Sequence, residues 1–566
     1  MKVLVLVLGG YGIFGGRLAA LLAAETRLTL AIAGRSQAKA AAFCATLPAR
    51  ERALACAFDR DAEVEAQLRA AAPDVVVDAS GPFQAYGDDP YRVVKACIAL
   101  GIDYLDLADG ADFVAGIARF DAAARERGVF VLAGASSYPA LTAAAVRRLG
   151  RPGDTVETIA AGIAPSPHAG VGLSVVRAIA GYAGKRVALV RGGRAASAHA
   201  LIDSMRFTIA PPGQVPLGRI RFSLVDAPDL RVLPLLWPGV RSVWVGAGPA
   251  PAVLHRGLSA LAWLVRLKLV PSLAPLAALF HAAINLLRWG EHRGGMFVAV
   301  TGCDAQGRPM ARAWHMVAEG ADGPFIPSMA AAAIVRRMLD GPKPAPGARP
   351  AAGELELDDY EAQFAARRIA SGCRDAETAG RPLFQRILGE AWTGVPAPLR
   401  ALHERSGTHR WQGLAAVERG RGALAQLAAA LFRFPRAAQS VPLRVDISAR
   451  GVGETWRRTF GPRSFTSRLA LGQGRRDGLL VERFGPFAFG IALVPDGTTL
   501  RYVVRRWSLF GIPLPNAWAP GGATREFDDG GRFGFDVEIR HGLMGLIVRY
   551  KGWLVPAAPE GAEAEP

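Results

Sequence analysis

The sequence predicts an α/β protein, with a doubly wound parallel sheet at the N-terminus, an α+β domain in the middle and a mainly antiparallel β domain at the C-terminus. Three observations predict this class. A buried strand runs into a glycine cluster and then a helix at the very start of the chain. Apolar strand-like runs alternate with helical ones to about residue 150, and after residue 440 apolar and polar residues alternate with a period of two. At 566 residues the chain is too long for one core, so we divide it into residues 1–150, 151–340, 341–379 and 380–556.

The first element is a strand over residues 3–8 that is apolar on both faces, as in a parallel sheet. G-x-G-x-x-G follows it and opens an Ala- and Leu-rich helix. In a dinucleotide-binding loop these glycines permit a tight turn, close approach of the backbone to the diphosphate and close packing of the helix, whose N-terminus attracts phosphate. Such a turn is also common without a ligand, but its early position and a second strand soon after it favour a dinucleotide site. The predicted cofactor-binding residues here are Gly9, Gly10, Gly12, Ile13, Phe14 and Gly15.

The second strand, residues 28–33, ends at Gly34, Arg35 and Ser36. A fold of this kind that prefers NAD usually carries an Asp or Glu here, which binds the ribose 2′-hydroxyl. This chain has a guanidinium instead, which can pair with a 2′-phosphate, and Ser36 and Lys39 can add a hydrogen bond and a charge. The alternative is that Arg35 and Lys39 are solvated residues at the start of a helix. We predict NADP as the cofactor, in preference to NAD.

Four more strands complete the predicted first domain, at 52–58, 74–79, 104–107 and 129–134. The first of these ends at Asp59, which either accepts a hydrogen bond from the adenine amino group or serves a turn. The second runs into a turn at the carboxyl end of the sheet, where ligands of open α/β sheets bind. We therefore predict that this turn lines the nicotinamide side of the site, through Ser80, Gly81, Pro82 and Phe83.

Hydride transfer needs a bound nicotinamide, a substrate beside it and usually one proton donor. Candidate donors follow the strand ends, at Tyr86, Asp106, Asp109, Ser136 and Tyr138. Tyr138 precedes a proline and is therefore biased to an extended backbone, which would direct its phenol into the cleft. From this set we predict Tyr138, Asp106 and Asp109 as catalytic, with an ordinary structural role as the alternative for each.

Composition limits the partners. The formal net charge is +18 and the pI is about 10.3, values that would suit nucleic acid or an anionic membrane. The basic residues are scattered, however, and only seven of the 67 are lysine, so we predict no nucleic-acid partner and leave an anionic ligand or surface open. Five cysteines without a CxxC spacing predict neither a metal site nor a disulfide framework, and they suit a reducing cytoplasm. The apolar start is too short for a secretory signal.

The motifs of the first domain occur in a characteristic order: GGYGIFG at 9–15, GRS at 34–36, SGPF at 80–83, YLDL at 104–107 and GASSYP at 134–139. This series resembles the saccharopine dehydrogenase-like family of NAD(P)-binding proteins. It is also similar to the trans-acting enoyl reductases of bacterial lipid synthesis, which share that fold. The resemblance covers about residues 1–370 and implies a Rossmann domain, a mixed α+β substrate domain and reduced-nicotinamide chemistry.

Residues 151–340 are the predicted substrate domain. Strand-like runs lie at 156–163, 219–225 and 240–245, and residues 295–302 and 310–317 form a predicted β-hairpin. These strands suit a mixed sheet that covers the cleft over the nicotinamide.

An apolar helical hairpin is predicted at 254–288, broken by two prolines. It carries one apolar stripe and a second stripe of His, Asn and Arg. A two-faced helix packs on a core or lies in a membrane interface, and crossing the bilayer is the third alternative. Further on, Ser328 is predicted to cap a helix over 328–339. The Pro- and Gly-rich run that begins at residue 341 opens the predicted linker, 341–379.

The last segment, 380–556, contains two short helical runs followed by repeated strand signals separated by Asp- and Gly-rich turns. We predict a curved antiparallel sheet or partial barrel. The blocks at 454–458, 482–486 and 511–515 resemble a bacterial domain of unknown function that is often fused behind a saccharopine dehydrogenase-like half. Arg457, Arg483 and Glu454 form either an anion-binding set or ordinary exposed strand charges.

Two functions follow from this reading. The first is an NADP-dependent oxidoreductase that reduces an apolar, lipid-like carbonyl or enoyl substrate. The second is a non-catalytic nucleotide-binding sensor or membrane-associated scaffold. The expected location is the cytoplasm, and the expected partners, besides a small-molecule or lipid-like substrate, are a membrane surface in peripheral contact with 254–288 and a second copy of the chain.

Overall fold

The computed structural model describes residues 2–48, 50–249, 251–376, 380–450 and 453–557. The chain divides into two compact units. Unit 1 comprises Met1–Arg206 and Ile220–Ser371, and unit 2 comprises Phe207–Arg219 and Gly372–Pro566. Unit 1 therefore holds both the 1–150 and the 151–340 segments, except for thirteen residues (207–219) that leave the second segment and belong to unit 2.

The first 150 residues alternate strands and helices as predicted. Each predicted strand is present within one or two residues, because apolar runs bounded by turn residues mark buried strands well. The strands are β1 (Val3–Leu8), β2 (Leu28–Gly34), β3 (Ala53–Ala57), β4 (Val75–Asp78), β5 (Asp103–Asp106) and β6 (Phe130–Ala133). The helices are α1 (Ile13–Leu22), α2 (Gln37–Cys44), α3 (Val64–Ala71), α4 (Arg92–Leu100), α5 (Ala111–Gly116), α6 (Asp121–Glu126) and α7 (Thr142–Leu149).

The middle segment contains the predicted strands and several elements that the sequence pattern missed. Its strands are β7 (Thr155–Ala164), β8 (Arg186–Arg191), β9 (Arg194–His199), β10 (Ser204–Ile209), β11 (Gly218–Leu224), β12 (Ser242–Ala247), β13 (Arg293–Cys303) and β14 (Pro309–Glu319). Its helices are α8 (Leu173–Tyr182), α9 (Asp229–Leu236), α10 (Ala252–Arg266), α11 (Ala277–Leu286) and α12 (Ile326–Asp340). The helical hairpin is thus α10 and α11. None of the helices in the described ranges has both the length and the apolar content that a bilayer crossing requires.

The predicted cap at Ser328 is wrong. The helix α12 begins at Ile326, two residues earlier, with Pro327 in its first turn, a position that proline favours. Ser328 lies inside the helix, fully buried, and its Oγ donates a hydrogen bond to the carbonyl of Phe14 at 2.9 Å. Ser328 therefore ties α12 to the first turn of α1.

Residues 341–376 differ from the predicted linker. They form β15 (Gly347–Pro350), α13 (Leu357–Phe364) and β16 (Ile369–Asp375). A strand at the edge of a sheet tolerates proline, because one side of its backbone needs no ladder hydrogen bonds. The Pro-rich composition therefore gives no sign of the strand β15. The helix α13 begins at a capping box of Glu356 and Asp359. Residues 377–379 of the predicted linker lie outside the described ranges.

Two sheets form unit 1. The first is entirely parallel and seven-stranded, in the order β15-β6-β5-β4-β1-β2-β3, with its switch point between β1 and β4. This confirms the predicted doubly wound Rossmann sheet. The second sheet is mixed, in the order β10-β11-β12-β7-β13-β14-β16, and β8 and β9 form a separate hairpin. The strands of this second sheet carry three fully buried aromatic residues, Trp314, Phe222 and Phe297.

Unit 2 confirms the predicted antiparallel domain and closes it into a barrel. Ten antiparallel strands follow one another around the ring, and pairing of β22 with β23 completes it, while the short β24 extends β23. The barrel strands and β24 are β17 (Thr408–Arg419), β18 (Ala438–Arg450), β19 (Gly453–Phe460), β20 (Arg463–Leu471), β21 (Leu480–Phe484), β22 (Phe487–Asp496), β23 (Thr499–Leu509), β24 (Ile512–Leu514), β25 (Thr524–Asp529), β26 (Arg532–His541) and β27 (Gly545–Pro556). Apolar side chains of α14 (Leu383–Leu388) and α15 (Ala397–His403) join the core inside the strands, and α16 (Ala423–Leu431) connects β17 to β18.

Candidate functional site

In the loop between β1 and α1, a side chain at Gly9 or Gly15 would clash with neighbouring backbone. Gly9 has a φ of +68°, and a Cβ there would lie 2.8 Å from the Cα of Ser80 in the loop after β4. A Cβ on Gly15 would lie 2.3 Å from the carbonyl oxygen of Gly9, and the amide of Gly12 donates to that same oxygen at 2.8 Å. The loop is therefore pressed against both the next strand end and its own helix, as the glycine pattern predicts.

The first turn of α1 is open to an anion. Its N-cap is Gly12, which has no side chain to accept the first helical amides. These amides and the positive end of the helix dipole lie at the carboxyl edge of the sheet, which is how helix N-termini bind phosphate. The Ser328 hydroxyl donates to the carbonyl of Phe14 in this turn, which adds a contact between α12 and the start of α1.

Two exposed cations lie after β2, one in the loop and one in the first turn of α2. Arg35 and Lys39 are exposed, and within the described residues neither side chain has an ion-pair or hydrogen-bond partner. Ser36 caps α2, since its Oγ accepts from the amide of Lys39 at 3.3 Å. From residue 28 to residue 50 the chain has no Asp or Glu. The surroundings of Arg35 therefore favour an anionic group.

Tyr11 is a residue of this loop that the sequence pattern does not single out. It is the variable residue inside G-x-G, and its ring covers Gly34 so closely that a Cβ there would lie 2.6 Å from it. The Tyr11 hydroxyl accepts a hydrogen bond from the amide of Ser36 at 3.2 Å. Tyr11 thereby links the glycine loop to the loop after β2. A long-range contact of this kind leaves no local signal in the sequence.

Asp59 lies in a turn. Its Oδ1 accepts from the amide of Asp61 at 3.0 Å, and its backbone pairs with the side chain of Gln67. The turn role of this carboxylate is thus present, and its predicted contact with adenine stays a prediction. Next to it, the guanidinium of Arg60 lies 2.9 Å from the ring centroid of Tyr86.

The turn after β4 is organised by a buried carboxylate. Ser80 donates to Oδ1 of Asp78 from its amide at 2.9 Å and from its hydroxyl at 2.5 Å, and the Tyr86 hydroxyl lies 2.8 Å from Ser80 Oγ. Burial raises the pKa of Asp78, and the Ser80 hydrogen bonds oppose that rise. The Phe83 ring packs against Tyr86 with centroids 4.7 Å apart. This network fixes the backbone from Ser80 to Phe83, which includes Gly81 and Pro82. Asp78, the only polar residue of β4, was missed.

Asp106 is a buried carboxylate that joins two strand ends. Its Oδ1 accepts from the amides of Gly134 at 2.7 Å and Ala108 at 3.0 Å. Burial raises the pKa of Asp106 to about 7, although these amides oppose the rise. Asp106 therefore links the ends of β5 and β6, and its catalytic role stays a prediction. Ser136, just beyond β6, is also buried.

Asp109 is the predicted carboxylate that is open to solvent. The Gln84 amide donates to its Oδ1 at 3.1 Å. Protein on most sides limits its hydration and raises the pKa of Asp109, and the Gln84 hydrogen bond opposes this. Tyr182 at the end of α8 lies in the same region: burial raises the pKa of its hydroxyl, and the charges of Asp109 and Asp226 raise it further. Tyr182 and Asp226 were not found from the sequence, because packing of the second sheet brings them here.

Tyr138 has the predicted extended backbone, with φ −113° and ψ 127°. Its hydroxyl donates to the carbonyl of Gly246, at the end of β12, at 3.2 Å. Burial raises the pKa of Tyr138, and the charge of Asp229 raises it further. Asp229 is itself fully buried, which raises its pKa to about 7. The phenol thus contacts the second sheet, and the catalytic role of Tyr138 stays a prediction.

Two family models match the chain. Residues 5–132 match the saccharopine dehydrogenase NADP binding domain, and residues 395–554 match a domain of unknown function (DUF4166). Comparison with curated proteins gives no match.

Solved structures similar to the chain are dehydrogenases of low identity. The apo saccharopine dehydrogenase (L-Glu forming) from Saccharomyces cerevisiae is 14% identical, with a TM-score of 0.47, over 66% of this chain and 100% of that one. The WlbA (WbpB) dehydrogenase from Thermus thermophilus, in complex with NAD and alpha-ketoglutarate, is 15% identical, with a TM-score of 0.29, over 65% of this chain and 93% of that one. A probable dehydrogenase from Thermotoga maritima is 10% identical, with a TM-score of 0.29, over 65% and 98%. By the family models, the chain carries a domain of the saccharopine dehydrogenase NADP-binding type at residues 5–132 and a DUF4166 domain at residues 395–554.

Proposed function

We propose that the chain is an NADP-dependent oxidoreductase that reduces an apolar, lipid-like carbonyl or enoyl substrate. The observation that carries the cofactor choice is the pair of free, exposed cations, Arg35 and Lys39, behind β2, in a stretch without any acid. A carboxylate at this place would repel a 2′-phosphate, whereas a guanidinium can bind it through two parallel hydrogen bonds.

The donor set fits a dinucleotide. The uncapped first turn of α1 and the glycine loop would hold the diphosphate, and Arg35, Lys39 and the Ser36 hydroxyl would hold the 2′-phosphate. The turn from Ser80 to Phe83, fixed by Asp78, would face the nicotinamide, which supplies the hydride when it is bound.

The proton needs a group that exchanges with the substrate. Asp106 holds the amides of Gly134 and Ala108, and Tyr138 holds the carbonyl of Gly246, so both act as positioning residues in this proposal. Asp109 is exposed, and its limited hydration raises its pKa, which favours the protonated carboxyl group that a proton donor needs. We assign Asp109 the role of proton donor, beside Tyr182.

An apolar substrate is supported by the helices next to the glycine loop. Gly172 is the N-cap of α8, and a Cβ there would lie 2.8 Å from Ile13 Cδ1; α11 packs against α8. The α10–α11 hairpin exposes several large apolar side chains to solvent. A lipid-like molecule that leaves an apolar surface would meet the cofactor site from this side.

Calorimetry with NADPH and NADH tests the cofactor choice. The full chain should bind NADPH more tightly, and Arg35→Ser should weaken NADPH about tenfold to one-hundredfold while changing NADH little, because only the 2′-phosphate contact is lost. Arg69→Ser, an exposed arginine on α3, is the matched control and should change neither affinity. If neither dinucleotide binds, the proposal fails, and if NADH binds as tightly as NADPH, the cofactor choice fails.

Turnover separates an enzyme from a nucleotide sensor. NADPH oxidation should be measured with a panel of acyl, enoyl and imine substrates of increasing chain length. Consumption that increases with the apolar length of the substrate supports the proposal, and Asp109→Asn should then lower kcat about a hundredfold while leaving NADPH affinity unchanged. Tight binding of NADPH without consumption for any member would support the sensor instead.

A further inference from the structure

The helix α16 in unit 2 buries its small residues and exposes its large apolar ones, the reverse of a normal surface helix. Its buried face consists of Ala425 and Ala429, which are fully buried, whereas its outward face carries Leu424, Leu427 and Leu431, which are 59%, 67% and 75% exposed. A surface helix of a globular protein normally directs its large apolar residues inward and its charged residues outward. These three leucines, spaced i, i+3 and i+7, form one stripe, which we call the α16 leucine face.

Only positive charges flank this face. From residue 419 to residue 445 the chain has five arginines and no Asp or Glu. Arg421, at the start of α16, and Arg433 and Arg436, just after it, are exposed. An apolar stripe with a cationic border is the composition of helices that lie in the interface of a bilayer, where long basic side chains reach the headgroups.

The α10–α11 hairpin in unit 1 has the same chemistry. Between residues 230 and 290 the chain has no Asp or Glu, whereas the hairpin carries Arg256, Arg266, Lys268 and Arg288. Large apolar side chains between 60% and 80% exposed lie among these charges, at Leu267, Leu269, Leu279, Leu286 and Trp289. We call this set the hairpin face. Single exposed apolar residues are ordinary, whereas several large ones within one helical hairpin favour a surface that another apolar surface covers.

We propose that the α16 leucine face and the hairpin face both dock on an anionic phospholipid bilayer. An interface between two proteins normally has a polar rim with hydrogen bonds. These two faces instead offer leucine, tryptophan and cations. A bilayer with anionic headgroups matches both features at once, because its acyl chains accept the apolar side chains and its surface attracts Lys and Arg. The same chemistry in two separate units favours one shared kind of surface. This proposal does not depend on the cofactor chemistry of unit 1.

Vesicle co-sedimentation of the full chain tests the proposal. The chain should sediment at low salt with phosphatidylcholine vesicles that contain phosphatidylglycerol, and about tenfold less with phosphatidylcholine alone. The triple variant Leu424→Gln, Leu427→Gln, Leu431→Gln should lower the partition constant at least tenfold, and so should the hairpin variant Leu267→Gln, Leu269→Gln, Leu279→Gln. Leu54→Gln, which changes a half-exposed leucine of β3 outside both faces, should have no effect.

Several outcomes would overturn the proposal. Absence of sedimentation with anionic vesicles at low salt would do so, and equal binding of the wild type and both triple variants would do so as well. If light scattering shows a dimer that the triple variants convert to a monomer, without vesicle binding, a second copy covers the faces and the bilayer is the wrong partner. Because all six leucines are exposed, thermal unfolding of the variants should match that of the wild type, which separates a docking defect from a folding defect.

Discussion

Two buried acids of unit 1, Asp106 and Asp229, have different surroundings from two buried acids of unit 2, Glu526 and Asp536. In unit 1, Asp106 accepts hydrogen bonds from two backbone amides, Asp229 lies fully buried at the start of α9, and burial raises the pKa of each to about 7. In unit 2, Glu526 lies 2.7 Å from both the Nε2 of His403 and the hydroxyl of Tyr502. Asp536 there forms a two-point contact with Arg549, which lowers the pKa of Asp536.

The comparison teaches that burial alone does not decide the charge of a carboxyl group. Where only neutral dipoles surround it, the cost of removing the charge from water favours the protonated form. Where a guanidinium is in contact, the ionised form is favoured even though the carboxylate is almost completely buried. These two sets of carboxyl groups should therefore respond differently to the loss of partners and to pH.

The largest effect is expected when the partner is removed in unit 2. In His403→Ala, Glu526 stays buried with only the Tyr502 hydrogen bond, and Phe384 loses the imidazole stacked on it at 3.6 Å. Breaking a buried pair of this kind costs about 3–5 kcal/mol, so the free energy of unfolding of unit 2 should fall by that amount in urea titrations. His541→Ala, at the end of β26, is the control and should change it by less than about 0.5 kcal/mol. A loss for His403→Ala no larger than this control would contradict the role of the pair.

A somewhat smaller effect is expected from pH in unit 1. Because the folded-state pKa of Asp106 is raised, its contribution to stability is complete below the unfolded-state pKa of about 4 and is lost as pH rises through about 7. This loss should amount to about 2–4 kcal/mol. Asp106→Asn keeps an oxygen for the amides of Gly134 and Ala108 and should remove this part of the pH dependence. Urea unfolding of both proteins between pH 4 and 8 measures it, and parallel pH profiles would show that folding does not raise the pKa of Asp106.

Asp536 should show the opposite sign. Its pKa is lowered by Arg549, so its contribution is present above the unfolded-state pKa and is lost as pH falls through the folded-state pKa.

The smallest effect is expected for Arg549→Ala, because this guanidinium is partly exposed while Asp536 is buried. Loss of two charge-assisted hydrogen bonds should lower the free energy of unfolding of unit 2 by about 1–2 kcal/mol at pH 7. The control is Arg532→Ala, which removes an exposed pair with Asp529 and should cost less than about 0.5 kcal/mol. Equal losses for the two variants would mean that burial of Asp536 adds nothing to its pairing.

Local patterns predicted the first sheet well, because each of its strands is a short apolar run bounded by turn residues. The same reasoning failed for β15, because the prolines before it and Pro350 at its end mark a turn in most contexts. It also missed β17 and β25. In β25, the strand Thr524–Asp529, four of the six residues are charged, and Asp and Glu are rare in strands. Without β17 and β25 the ring in unit 2 does not close, and the pattern indicates only a partial barrel.

The glycine loop and Arg35 could be found from the sequence, because their chemistry depends on residues that are adjacent in the chain. Tyr11, Tyr182 and Asp226 could not, because their roles arise from contacts between distant elements. Asp78 occupies an intermediate place. A single acidic residue at the end of an apolar strand is a signal that its burial will matter.

The seventh strand of the first sheet has a consequence for synthesis of the chain. β15 pairs with β6 only after more than two hundred further residues have been made, and Lys343, just before β15, reaches Asp103 at 2.8 Å. Until then the backbone of β6 is an open edge, of the kind that recruits strands from other molecules. A nascent chain of which only the first 340 residues have left the ribosome therefore exposes β6 as an unpaired edge strand. Chaperone binding should persist until residue 350 has emerged.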